Sequence, residues 1–191
     1  MDDRIALFVK KTLIADAQQS IFSADIPDVL LPIVCAMTAI AWTIYFTLSR
    51  KGIYNTQTRF FLLVAVTTPL AYFLKSILKH AIGRINTRFW LLHHAAGEFH
   101  WFQGHENYMG FPSGHMTVFT ALVIALCTCY PRYQPVYLGS LSALGLALIA
   151  TDYHFLSDII AGVYLGFIIH TGTLHCLTIL ECAKRRNKTT N

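Results

Sequence analysis

The sequence predicts an all-α fold, a polytopic membrane helical bundle of about five transmembrane helices preceded by an N-terminal interfacial amphipathic helix. Three observations carry this expectation. Of 191 residues, 54 % are hydrophobic and only 13 % charged, roughly half the ~25 % charge of an ordinary soluble domain. Mean hydropathy is +0.48. Charge is also excluded from five stretches, Val29–Ser49, Phe60–Leu74, Asn107–Pro131, Tyr133–Thr151 and Ile159–Leu180, of 21, 15, 25, 19 and 22 residues. A hydrocarbon core of ~30 Å is crossed by ~20 apolar residues in a helix. A disordered chain, a coiled coil and nearly every soluble enzyme are thereby excluded.

Each element follows in order. The first 27 residues are not expected to be a cleavable signal, because Met1-Asp2-Asp3-Arg4 is no positive n-region and Lys10 and Lys11 break the apolar run. Ile5, Leu7, Phe8, Thr12, Leu13 and Ile14 fall largely on one side of a helical wheel, with Lys10, Asp16 and Gln18 elsewhere, which predicts an interfacial helix. Ile26-Pro27 punctuates the start of the first span. The second stretch is short, so Arg59 and Lys75 are expected to snorkel at its ends. The expected organisation is an N-terminal segment 1–27, a transmembrane domain 28–181 and a basic tail 182–191. Cys35, Cys127, Cys129, Cys176 and Cys182 are odd in number and sit in or beside apolar runs. They read as small apolar fillers rather than a disulfide framework or a zinc knot.

The formal charge of +5 forms no basic stripe on a soluble face, so no nucleic-acid partner is expected. Arg50, Lys51, Arg59, Arg132, Lys184, Arg185, Arg186 and Lys188 lie on one side if the spans alternate, and the positive-inside rule makes that side cytoplasmic. The N-terminus and the loop of residues 79–114 then face outward.

Ionisable groups at membrane depth are costly, so their clusters are functional candidates. The first cluster is Lys75, Lys79, His80, Arg84 and Arg88, with Gly83 releasing the helix. Its four Lys and Arg residues have no carboxylate among them and need anions from elsewhere; anchoring to lipid headgroups is the plainer explanation. The second is Phe111-Pro112-Ser113-Gly114-His115. Ser113 is suited to cap the third span, Gly114 lets an oxyanion approach its N–H, and a helix start suits phosphate. His115 beside it is a proton donor or merely a structural histidine. The third is Thr151-Asp152-Tyr153-His154-Phe155-Leu156-Ser157-Asp158. His154 and Asp158 are four apart, so one turn can bring carboxylate to imidazole, as a nucleophilic histidine needs. Otherwise Asp158 is a helix-start acid, with Ser157 as the cap. Alternating spans put all three clusters at one outer face, where together they make a phosphate-handling site.

Pro112-Ser113-Gly114-His115 followed by His154 and Asp158 resembles the second and third signatures of the type 2 phosphatidic acid phosphatase superfamily. Lys79 and the basic stretch through Gly83-Arg84 resemble the first, and the resemblance covers about residues 59–170. It implies a phosphatase with no metal and no cofactor, acting on a lipid phosphate in a helical bundle open to the outer leaflet. It implies His154 as the nucleophile forming a phosphohistidine, Asp158 orienting it, and His115 as the acid for the leaving group. Lys79, Ser113 and the Gly114 N–H would hold phosphate oxygens. In a bacterium this places the protein in the inner membrane with its site facing the periplasm or exterior. Two family arginines are replaced, by Asn86-Thr87 at the end of the first signature and by Leu148 before His154; Arg84 or Arg88 is expected to substitute for one of them.

The outer loop also holds His93, His94, Glu98, His100, Trp101, His105 and Glu106. His94 and Glu98 make a metalloenzyme the rival reading, but no His-Glu-x-x-His occurs and no common zinc spacing is matched. Two further readings concern the phosphohistidine site itself: a phosphotransferase, since a phosphohistidine can pass its group to an alcohol as well as to water, or a catalytically impaired lipid-binding protein that has lost its arginines. Phosphatidate, phosphatidylglycerophosphate, undecaprenyl diphosphate and the phosphates of lipid A all remain candidate substrates, since acyl recognition leaves no readable code.

Overall fold

In a computed structural model of the chain, residues 2–13, 26–93, 99–102 and 106–189 are described. The described residues form seven α-helices: α1 (Asp2–Leu13), α2 (Ile26–Arg50), α3 (Thr56–Ile82), α4 (Thr87–His93), α5 (Gly114–Cys129), α6 (Gln134–Ala150) and α7 (Leu156–Thr189). Two short 3-10 turns, Glu106–Tyr108 and Pro131–Tyr133, join them. The fold is an all-α, polytopic membrane bundle. Four segments are long and apolar enough to cross a bilayer: Val29–Arg50, Thr56–Ile82, Pro131–Ala150 and Leu156–Ala183. The fifth apolar helix, α5, has 16 residues, about 24 Å against a ~30 Å core. Its charge-free stretch is longer, but the Ser113 cap and Pro131 cut the helix short.

The helix α5 sits at the centre. Its Val118 and Ala121 pack with Leu30 and Val34 of α2, Ala71 of α3 and Ile169 of α7. Its Met116 and Val123 pack with Leu141 and Leu148 of α6 and Ile159 of α7. Side chains such as Ile40, Phe46, Phe73, Leu146, Tyr164 and Phe167 face outward from the bundle, as a lipid-solvated surface requires.

Small residues decide how closely α7 meets α5. A Cβ on Gly162 would lie 2.7 Å from the Ser113 carbonyl oxygen, and one on Gly166 2.5 Å from that of Thr117. These glycines are one turn apart and let the two backbones touch, the usual device where helices associate in lipid. The consequence is positional: the N-terminal ends of α5 and α7 are held side by side.

Two expectations are corrected. Lys75 does not snorkel. The helix α3 runs on to Ile82, so Lys75 lies within it, 9 % exposed, with its ammonium 4.0 Å from the centre of the Tyr72 ring. Nor does Ser157 cap α7. Asp158, third in the helix, accepts the Phe155 N–H at 3.1 Å, the carboxylate half of a capping box. The basic tail continues α7, which reaches Thr189.

Candidate active site

The site is built where four helix ends meet. The helix α3 is started by Asn55, whose side chain accepts the Thr58 N–H, and stopped by Gly83 at φ 58°. Glycine is required there twice over, for the left-handed backbone and because a Cβ would lie 2.0 Å from the His100 carbonyl oxygen. The strand-like segment after it is stitched from both sides. His100 N–H donates to Gly83 O (2.8 Å), Gly110 N–H to Arg84 O (2.8 Å) and Asn86 N–H to Asn107 O (2.8 Å). Arg84 is therefore carried on fixed backbone, although it lies outside any helix.

Ser113 caps α5, its hydroxyl accepting the Met116 N–H at 3.5 Å. The Gly114 and His115 N–H groups that follow are the first of the helix, without carbonyl partners within it. The Ser113 N–H donates to the Asp158 carbonyl at 3.0 Å. One backbone hydrogen bond thus ties the second cluster to the third. His115 is half-buried, its ring 5.9 Å from Tyr153, and Tyr153 lies 5.0 Å from His154. Tyr153 thus has ring contacts with both histidines.

His154 and Asp158 are 5 % and 0 % exposed. The His154 Nδ1 is 3.7 Å from Asp158 Oδ2, in ion-pair range but longer than a hydrogen bond. The turn that presents them is tight, with Asp152 at φ 51° and the Tyr153 N–H donating to Leu148 O at 3.0 Å. Burial pushes the His154 imidazole below the usual histidine range; Asp158 opposes this and the charge of Lys79 adds to it. A neutral imidazole is the form that can attack phosphorus.

Lys79 and Lys75 lie one turn apart on α3, and the Lys75 side chain packs on the Gly114 backbone, 3.2 Å from where a Cβ would be. Among the described residues neither ammonium is ion-paired with a carboxylate. Unneutralised cations beside a helix N-terminus are an arrangement that can attract an anion. Arg88 donates to Thr151 O at 3.3 Å, with its guanidinium 5.3 Å from the Tyr153 ring centre.

Arg84 is otherwise engaged. Its Nη1 lies 2.6 Å from Asp158 Oδ1 and contacts the Ser157 hydroxyl, and its Nη2 lies 3.0 Å from Asp2 Oδ2. Burial works against its charge, yet the two carboxylates raise its pKa above the ordinary value. Asp2 is not legible as a site residue in the sequence. Eighty-two positions separate it from Arg84, and only the packing of α1 reveals the contact. The places of the two replaced family arginines have local contacts of their own: Leu148 is core, packed with Met116 and Ile159, and the Asn86 N–H donates to Asn107 O.

Among the described residues no three His, Cys, Asp or Glu side chains converge as metal ligands. The side chains of His93, His94, Glu98, His105 and Glu106, on which the metal reading rests, lie outside the described residues. His100 instead packs on Tyr108, ring centres 4.3 Å apart.

Comparison with known proteins bears on the family of the chain. The chain is 33 % identical over 102 residues to lipid A 1-phosphatases of Rhizobium johnstonii and Rhizobium etli, covering 52 % of this chain. It spans only 41 % and 43 % of those relatives' lengths. No solved structure matches. Residues 58–181 match the PAP2 superfamily, a region that holds Lys79, the Ser113-Gly114-His115 helix start and the His154–Asp158 pair, and the chain belongs to that superfamily.

Proposed function

We propose that this protein is a membrane phosphatase that hydrolyses a phosphomonoester or diphosphate of a lipid through a phosphohistidine, without a divalent metal. The observation that carries the reading is the junction of the His154–Asp158 pair with the α5 start through the Ser113–Asp158 backbone bond. His154 Nε2 attacks phosphorus, and Asp158 approaches Nδ1 as positive charge develops there. Lys79, Ser113, the Gly114 N–H and Arg88 hold the phosphate oxygens. The bond to the leaving oxygen breaks as His115 gives it a proton. Water, deprotonated by His115, then attacks the phosphohistidine and releases inorganic phosphate.

Around this site, segment 1–27 lies at the outer interface, residues 28–181 form the phosphatase domain and 182–191 are a cytoplasmic tail. The helix α5 is a fifth span, and the site faces the periplasm from a bacterial inner membrane. The phosphate of a lipid A is the first substrate to test, because both relatives carry that activity in their names. The test is phosphate release from purified protein in detergent, with chelator, on a panel of lipid A, phosphatidate, phosphatidylglycerophosphate and undecaprenyl diphosphate. Release that vanishes in His154→Ala is expected. Absence of release from every lipid, or release that needs an added divalent ion, overturns the reading.

A further inference from the structure

We infer that Asp2, carried by the N-terminal helix, is a positioning residue of the active site that acts through Arg84 on Asp158 and so on the His154 imidazole. The inference rests on the proposed phosphohistidine chemistry and adds to it a residue lying outside the region matched to the family.

The geometry is a chain of contacts. His154 Nδ1 faces Asp158 Oδ2 at 3.7 Å, Asp158 Oδ1 holds Arg84 Nη1 at 2.6 Å, and Arg84 Nη2 holds Asp2 Oδ2 at 3.0 Å. The Ser157 hydroxyl donates to Asp2 and accepts from Arg84, closing the set. Arg84 is 4 % exposed, with its guanidinium 4.6 Å from the Phe155 ring centre and 5.4 Å from that of Phe99. Charges in such surroundings are weakly screened. The helix α1 is docked to match: Asp2, Ala6 and Val9 share one face, Ala6 packs with Ile85, Leu91 and Phe155, and Leu7 and Phe8 point away.

Charge arithmetic supplies the reason. Arg84 and Asp158 alone form a neutral pair, which offers little field to an imidazolium. With Asp2 the three groups sum to one negative charge, so Asp158 keeps a net attraction for His154 as phosphorus is attacked. That attraction has opposition. The charge of Lys79 of α3 acts against it. Among the described residues His115 of α5, Tyr153 of the same turn and Arg88 of α4, which lies over the Tyr153 ring, are further titratable or charged groups near His154. Lys75 lies one turn from Lys79 on α3, and Asp152 two residues before His154.

The experiment is a histidine NMR titration of the full chain in micelles, with the His154 signal assigned through His154→Gln, alongside kcat and KM against pH. Removing the charge in Asp2→Asn is expected to lower the His154 midpoint by about half a pH unit or more. It is also expected to cut kcat roughly tenfold with KM little changed. Asp2→Glu should restore both, and Ser157→Ala should move both in the Asn direction by a smaller amount, which keeps the test open if Asp2→Asn does not fold. A His154 midpoint unchanged in every folded variant overturns the inference and leaves Asp2 a docking contact. Faster turnover in Asp2→Asn overturns it too, since the carboxylate would then be competing with substrate phosphate for Arg84. A midpoint that shifts in a protein releasing no phosphate from any lipid supports the electrostatic link and refutes the phosphatase reading instead.

Discussion

The glycine contact between α5 and α7 gives the sharpest link from packing to function. In Gly166→Ala the new methyl group would lie 2.5 Å from the Thr117 carbonyl oxygen and 2.8 Å from the Thr120 Cβ, where ordinary contact begins at 3.4 Å. The helices must therefore part by up to about 0.9 Å at that point. Neither obstacle is the far end of a flexible side chain, so the strain cannot be relieved by a rotamer change. Overpacking of this kind costs about 1–3 kcal/mol. The same parting is felt one turn outward, where Ser113 donates to Asp158 at 3.0 Å. A displacement of ~1 Å in a catalytic array can cost ~100-fold in rate. Thermal unfolding in detergent and phosphate release should both fall in Gly166→Ala. Gly172→Ala, in the same helix with nothing within 4 Å of its Cβ position, is the control. It should melt at or above wild type, since alanine is the better helix former by ~1 kcal/mol. If Gly166→Ala keeps wild-type melting and turnover, close α5–α7 contact does not hold the site together.

The other expectations concern the chemistry. His154→Ala should abolish turnover and any acid-labile phosphoenzyme, whereas His115→Ala should still form it from an aryl phosphate, whose leaving group needs little protonation; a phosphoenzyme surviving in His154→Ala reverses the two roles. Because burial holds the His154 pKa down and attack needs the neutral ring, kcat/KM should stay level as pH falls through ~6.5 and drop only below it; a limb at or above that value contradicts the buried neutral histidine. Arg88→Ala should lose roughly 30–1000-fold in rate if Arg88 takes the place of a missing family arginine, and Arg88→Lys should not restore it; near-normal turnover in both variants removes Arg88 from phosphate binding. A single cysteine introduced at position 101, with the native ones replaced, should react with an impermeant reagent in intact cells; reaction only after lysis puts the site on the cytoplasmic side.

Part of this molecule is written along the chain. The spans follow from where charge is absent, because burying an ion in hydrocarbon is costly. Ser113 as a cap and the His154–Asp158 pair follow from spacing alone, since one helical turn brings residues four apart together. Those relations are local, and a sequence displays local relations directly. The rest depends on packing between distant segments. By sequence Lys75 reads as the end of a span, and only the continuation of α3 against Gly114 turns it into the bundle. Gly162 and Gly166 cannot be told from other apolar-run glycines until α7 is laid on α5. Along the chain Arg84 has no carboxylate near it and reads as a cation for phosphate. Its partners, Asp158 and Asp2, are 74 and 82 positions away, and α1 must dock before the second carboxylate exists for it. Charge type and helical period are properties of single residues and single turns; which cation meets which anion is a property of helix packing, decided only when the whole bundle has formed.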